Sequence, residues 1–359
     1  MAQCPRVLVG MSGGLDSTMA VVFLLREGWD VIGAHMQLYD VDGVRPSGCC
    51  GPRDAADASS MASLLGIPFH IFDFRDAFIR EVILPFVERY RNGKTPNPCI
   101  LCNDRMKFRL LRDKGLELGA RYVATGHYAR IQFCPETGRH RLLKGVDCQK
   151  DQSYFLFTLT QDQANSTLFP MGERTKVMVR AEAQRMGLPV WKKDESQEIC
   201  FVPDDDYRAF VDDMAGESCQ SGPIVDMDGK ELGWHRGISR FTVGQRRGLG
   251  IASPEPYYVV RLEPEANRVV VGRLGNLSSR GLLASNVNWI AGEPPEGPEE
   301  VMVKVRYRST EIPAALEPME GSRAQARFLT PAGAVTPGQA AVFYREDEVL
   351  GGGWIERGI

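Results

Sequence analysis

The stretch Arg6–Ser17, reading RVLVGMSGGLDS, constrains the fold more than any other part of this chain. Val7–Val9 is a short apolar run with the character of a buried strand. A turn of small residues follows, and Met19–Leu25 then repeats apolar side chains at helical spacing. A strand that enters a helix through paired glycines, with serines at both ends of the turn, directs backbone N–H groups at one point. The helix N-terminus adds its partial positive charge, so the unit is suited to phosphate. The pattern GxxxxGK[ST] is missing, which excludes an ordinary P-loop nucleotide hydrolase. Gly-rich turns also serve packing alone. Ser12, Gly13, Gly14, Asp16 and Ser17 together favour the anion-binding reading.

The pattern continues as strands alternating with helices. Strands are predicted at 31–36, 67–74 and 122–126, with helices at 54–65, 76–90 (kinked by Pro85) and 105–118. Residues 91–103 read as an irregular Pro-rich loop. This rhythm predicts a parallel sheet covered on both faces, with ligands at the carboxyl ends of its strands. Met11–Ser17, Met36, Gly126 and His127 then share one rim. After about Pro203 the pattern changes to short strands, at 241–250, 257–262 and 269–271, around a turn at 226–229. Further β-like runs at 301–307, 324–328, 340–344 and 353–355 predict a small terminal barrel. The expected division is 1–205 for the phosphate-binding α/β domain, 206–274 for a β-rich central domain and 275–359 for the barrel.

A chain of 359 residues has room for two or three such units. No apolar run approaches the ~18 residues of a membrane span, and no signal peptide opens the chain, so the cytoplasm is the expected location. Net charge is −3, yet residues 88–150 carry 14 Lys/Arg against 6 Asp/Glu, while 204–228 carry 8 acids and one arginine. The basic stretch suits a polyanion. Nine cysteines without a secretory signal point to reactive thiols or metal ligands instead of a disulfide framework. Cys99 and Cys102 form a CxxC beside Arg105 and Lys107, cations that favour a thiolate. A lone CxxC is weak evidence, consistent with a zinc half-site, a redox pair, a cluster ligand or chance. Cys200 is not linked to it by spacing; Cys49 and Cys50 are adjacent in a Gly/Pro-flanked loop. Cys4, Cys134, Cys148 and Cys219 look incidental.

SGGxDS resembles the pyrophosphatase loop (PP-loop) of ATP enzymes that cleave between the α and β phosphates, a Rossmann-like α/β fold of the adenine nucleotide α-hydrolase type. Six further segments extend the resemblance to one family: TPNPCILCNDRMKF at 95–108, YVATGHYAR at 122–130, KDQSYFLF at 150–157, SQEICFVP at 196–203, FTVGQRRGLGI at 241–251 and TPGQAAVFY at 336–344. They occur in family order, and together the chain is similar to the tRNA-specific 2-thiouridylases along nearly its whole length. LCN, ATGHYAR and KDQSYFL separate it from argininosuccinate synthases, GMP synthetases and lysidine synthetases.

The resemblance implies ATP-dependent replacement of the carbon-2 oxygen of the wobble uridine of tRNA by sulfur. Gly10, Met11, Ser12, Gly13, Gly14, Leu15, Asp16 and Ser17 would hold ATP, with Asp16 helping to place Mg²⁺ and Met36 and Gly126 lining the adenosine site. Cys200 would carry a persulfide and Cys102 would act as nucleophile, leaving a Cys102–Cys200 disulfide for a reductant to reset. An upstream sulfur carrier or cysteine desulfurase would supply the sulfur. Many family members have Asp where this chain has Cys99. Cys99, Cys102 and Cys200 resemble instead the three thiolates of related enzymes that hold a [4Fe–4S] cluster. Persulfide relay and cluster both stay open at this point. Asn97, Pro98 and Cys99 match the family's target-base contacts, and a base must leave its stack to be modified. Lys150, Asp151, Gln152, Arg306, Tyr307, Arg308 and Gln339 match its tRNA contacts, and His127 occupies a tRNA-facing position. Two rival readings are a different PP-loop ligase, which needs no CxxC, and an iron–sulfur or zinc redox module, which needs no ATP.

Overall fold

The computed structural model describes residues 4–39, 52–193, 199–215 and 220–359. Cys49, Cys50 and Cys219, and Ser196–Glu198 ahead of Cys200, lie outside the described residues. In chain order, β1 (Arg6–Gly10), α1 (Leu15–Arg26), β2 (Asp30–Gln37), α2 (Pro52–Leu64), β3 (Phe69–Asp73) and β4 (Tyr122–Ala124) come first. They are followed by β5 (Ala129–Cys134), β6 (Arg139–Lys144) and β7 (Thr167–Leu168). The sheet has the order β3-β2-β1-β4-β7 and is parallel throughout. Successive residues of a strand face opposite sides. Leu8 accordingly enters one core with Ile32, Phe78 and Phe86, while Val7 and Val9 enter another with Met19, Phe23 and Met61. All three are fully buried, as a sheet covered on both faces requires.

Two helical stretches differ from expectation. Residues 75–91 are helical, but Ile79–Ile83 winds as a wider π turn just ahead of Pro85. Proline has no N–H to donate back along the helix, and the widened turn absorbs that loss without a break. The second difference is a correction. The helix predicted from 105 begins at Pro98, so Cys99 and Cys102 lie on its opening turns and not on a loop. Asn97 explains the early start: its Oδ1 accepts the Cys99 N–H at 3.1 Å, and Pro98 fills the first helical position. The helix then runs through a wide segment, Cys102–Leu111, to Glu117.

The central unit has four strands, β8 (Gly222–Val225), β9 (Glu231–His235), β10 (Tyr258–Glu263) and β11 (Arg268–Gly272), in the order β10-β11-β8-β9. The strand expected at 241–250 does not form. Gly244, Gly248 and Gly250 all adopt left-handed φ values, between +68° and +90°, which a strand cannot contain. The last unit comprises β12 (Ser279–Trp289), β13 (Glu299–Lys304), β14 (Ile312–Met319), β15 (Arg323–Ala332), β16 (Ala340–Arg345) and β17 (Glu348–Gly358). Their order β12-β15-β14-β13-β16-β17, with β12 also paired to β17, closes a barrel around Val303, Leu316, Ala326, Phe343 and Ile355. The hairpin β5–β6, although it belongs in sequence to the first unit, joins this barrel through β6 and β17. Strand β13 ends at Lys304, so Arg306, Tyr307 and Arg308 sit in the following turn and not in a strand through 307 as expected. Among the described residues no helix is long and apolar enough to cross a membrane.

Candidate active site

The phosphate-type loop is held in shape by its own side chains. Ser12 N–H donates to Ser17 Oγ at 3.1 Å, and Thr18 Oγ1 donates to the Gly14 carbonyl at 2.9 Å. Gly14 is the N-cap of α1 and offers no side chain to its first turn. The first N–H groups of that helix are therefore available to an anion. Gly13 has φ +71°, and a Cβ there would stand 2.6 Å from the Asp54 carbonyl of α2. Gly126 is required for a different reason: its Cβ would meet Asp16 and Ser17 backbone atoms at 2.8 Å. Met36, expected on the adenosine side, is half-buried near the end of β2, beside His35, whose Nδ1 donates to the Met11 carbonyl at 3.0 Å.

Two lysines that the sequence reading did not single out grip this loop. Lys176, which is 7% exposed, donates to both Asp16 carboxylate oxygens at 2.9 and 2.8 Å, and Tyr128 Oη donates to Asp16 Oδ1 at 2.8 Å. Lys193 reaches the Gly13 carbonyl at 3.2 Å, Asp54 at 2.9 Å and Asp57 at 2.7 Å. Burial works against the Lys193 ammonium, but Asp57 and Asp54 outweigh it and raise its pKa. Their only signal in sequence is a lysine just outside a helix or at its first position, which is common on any surface.

The thiols lie on other segments of the chain. Cys99 is exposed at the second position of its helix, and Cys102 is half-buried one turn later. The helix N-terminus favours negative charge there. Asn103 is buried and donates to the Phe155 carbonyl at 3.1 Å, which fixes this helix to the KDQSYF segment. Cys200 lies in a turn closed by the Val202 N–H to Ile199 carbonyl bond of 3.0 Å. Its neighbour Phe201 is 2% exposed and packs edge-on against Phe78 and Phe86, with ring centroids 5.5 and 5.3 Å apart. Cys102 and Cys200 therefore border the same hydrophobic core. Among the described residues, no three His, Cys, Asp or Glu side chains are grouped to hold a metal. Cys99, Cys102 and Cys200 thus form no single-ion site in this arrangement.

The residues matched to RNA contacts divide into two groups. Arg308 is exposed, Lys150 is half-buried, and Asn97 and Cys99 surround the mouth of the thiol helix. The others are buried or make contacts within the protein. Asp151 is buried and accepts the Gly145 and Ser153 N–H groups and the Ser153 hydroxyl. Gln152 pairs with the Tyr128 backbone through its own N–H at 2.9 Å and its side-chain oxygen at 3.0 Å. Tyr307 packs on Phe155, ring centroids 4.4 Å apart. His127 is 7% exposed, between Phe108 and Phe169, and points inward. Pro98 is buried at the first position of the thiol helix.

Gln339 and Arg306 belong to a junction of all three units. Gln339 Nε2 donates to the Thr95 carbonyl at 2.8 Å, and Thr95 N–H donates to the Pro337 carbonyl at 2.9 Å. Arg306 donates to the Val243 carbonyl at 3.3 Å and to Thr336 Oγ1. Thr95 Oγ1 and Thr242 Oγ1 are 3.4 Å apart. Barrel, central unit and α/β unit thus meet two residues before Asn97.

Comparison with known proteins agrees with this layout. The family model described as tRNA methyl transferase HUP domain matches residues 5–204. The tRNA methyl transferase PRC-barrel domain model matches 208–273, and the aminomethyltransferase beta-barrel domain model matches 279–355. Three relatives are each named tRNA-specific 2-thiouridylase MnmA. The protein from Geotalea uraniireducens is 50% identical, over 99% of this chain and 96% of its own. That from Geobacter metallireducens is 49% identical, over 98% and 96%. That from Carboxydothermus hydrogenoformans is 46% identical, over 98% of each chain. With that identity along the whole length, and with the phosphate loop and paired thiols in place, the chain belongs to the tRNA-specific 2-thiouridylase family.

Proposed function

We propose that this chain replaces the carbon-2 oxygen of a tRNA wobble uridine by sulfur, with ATP as the activating substrate. The observation that carries this reading is that the thiol-bearing helix reaches the strand end packed against the phosphate loop: Lys107 meets His127, and the adjacent Gly126 abuts Asp16 and Ser17. A pyrimidine carbonyl oxygen is a very poor leaving group. Transfer of AMP to that oxygen, with release of pyrophosphate, converts it into a good one. Gly10–Ser17 would bind the phosphates through the open N–H groups of α1, with Met36 and Gly126 bordering the adenosine.

The terminal sulfur of a Cys200 persulfide then attacks carbon 2, and AMP departs with the C–O electron pair. The Cys102 thiolate attacks Cys200 Sγ and breaks its bond to the transferred sulfur, which stays on carbon 2. A Cys102–Cys200 disulfide results. A dithiol reductant supplies the two electrons that restore both thiols, and an upstream sulfur carrier or cysteine desulfurase recharges Cys200. Mg²⁺ would accompany ATP, and for Asp16 to hold it the carboxylate would have to exchange its Lys176 contact. Arg308 and Lys150 would meet RNA phosphate, while Asn97, Pro98 and Cys99 lie beside the flipped base.

The test is nucleoside mass spectrometry of unmodified tRNA incubated with the protein, ATP, Mg²⁺ and a persulfide donor. 2-Thiouridine is expected with the native chain, and none with Cys200→Ala. Thiolation by Cys200→Ala at the native rate would overturn the assigned role.

A further inference from the structure

The polar contact that ties the thiol helix to the nucleotide rim is made by Lys107 and His127. Within the buried imidazole, Nδ1 lies 2.6 Å from Thr125 Oγ1 and Nε2 lies 3.4 Å from the Lys107 ammonium. An ammonium can only donate, so Nε2 is the acceptor and Nδ1 carries the proton, donating to Thr125. Burial holds the His127 pKa well below its ordinary value, and the Lys107 charge adds to the effect. The pair therefore carries one positive charge, located on Lys107.

That charge differs from those of the other lysines at the rim. Lys176 is compensated by Asp16, and Lys193 by Asp54 and Asp57. Among the described residues, no carboxylate forms an ion pair with Lys107; its hydrogen-bond partner is a neutral ring. Its location is equally specific. His127 is flanked by Gly126, whose backbone abuts Asp16 and Ser17, and by Tyr128, whose hydroxyl is bonded to Asp16. Lys107 is also five residues beyond Cys102 on the same helical stretch. Among the described residues this half-buried cation has no counter-charge, and it is bonded to the residue next to Gly126, which abuts the first turn of α1; such a cation is half of an ion pair.

We propose that Lys107 is the cation that meets the phosphates of the bound adenine nucleotide, and that His127 is its positioning residue. The proposal rests on the reading of the loop as an ATP site. It replaces the expected RNA contact of His127 with an inward one, because the ring nitrogens are already bonded to Thr125 and Lys107.

Calorimetric titration of the full chain with ATP and, separately, with adenosine tests it. Lys107→Met is expected to weaken ATP binding by roughly tenfold to a hundredfold, the usual effect of deleting one charge-assisted hydrogen bond. Adenosine, which has no phosphate, should bind as before, and Lys107→Arg should restore most of the ATP affinity. His127→Phe should weaken ATP in the same direction and leave tRNA affinity unchanged. Unaltered ATP binding by Lys107→Met would overturn the proposal. So would an equal loss for ATP and adenosine, or a His127→Phe variant that loses tRNA but keeps ATP. Failure of the native chain to bind ATP would instead remove the nucleotide reading beneath it.

Discussion

Gly13 and His127 show what individual residues contribute and how differently each is legible. Gly13 was readable as part of a phosphate loop, and the structure adds why no other residue serves: left-handed backbone and the Asp54 carbonyl 2.6 Å from where a Cβ would stand. Gly13→Ala should reduce ATP-dependent activity by two orders of magnitude or more and lower stability by about 1–3 kcal/mol. Paired measurements of AMP release and thermal unfolding would check both. His127 was readable only as a polar residue in a motif, and such a residue looks alike in sequence whether it faces RNA or its own neighbours. Its depressed pKa has a thermodynamic consequence. In the unfolded chain the imidazole titrates at its ordinary value of about 6.5, so below that pH the unfolded state binds the extra proton. The stability that neutral His127 contributes is fully present above about pH 6.5 and is lost as the pH falls towards its folded pKa. His235, also lowered by burial, acts in the same direction. The melting temperature should drop between pH 7.5 and 5.5, and by less in His127→Gln. An equal drop in the variant would remove His127 from the account.

At the scale of elements, alternation and helical spacing located four of the five parallel strands and the first two helices, because buried strands and amphipathic helices leave periodic marks; the two-residue strand Thr167–Leu168 is too short to leave one. The start of the thiol helix was not legible that way. Pro96 and Pro98 read as loop residues until Asn97 is seen to cap the Cys99 N–H. Asn97→Ala should cost about 1 kcal/mol of stability and slow alkylation of Cys99, since a frayed first turn loses its favourable field. An iodoacetamide rate equal to that of the native chain would contradict this. The Cys200 turn depends on Phe201 in the same way. Phe201→Ala should destabilise the fold by roughly 3–5 kcal/mol, measured by urea unfolding, because it empties a site walled by Phe78, Phe86 and Phe210. The hairpin β5–β6 escaped prediction because it is rich in Arg and His and its Phe133 is 52% exposed.

For the whole molecule, the three units were legible from the change in rhythm after Pro203, but their convergence was not. Contacts between distant segments, such as Gln339 to Thr95, leave no periodic trace. The convergence bonds the barrel to Thr95, two residues before the cap of the thiol helix, so in the proposed function RNA on the barrel and chemistry at Cys102 would be mechanically joined. Gln339→Ala should therefore change the alkylation rate of Cys102 in the absence of tRNA. A residue acting only as an RNA contact would change tRNA affinity alone.

The central claim is that one rim performs activation and a two-thiol sulfur relay. Cys102→Ser tests it most directly, because it leaves persulfide attack intact and removes the release step. With ATP, a persulfide donor and unmodified tRNA, this variant should accumulate a covalent protein–tRNA complex through Cys200. The complex should dissociate with dithiothreitol and be absent in Cys200→Ser, as read by denaturing electrophoresis. Formation of 2-thiouridine by Cys102→Ser at the native rate, with no covalent complex, would contradict the account.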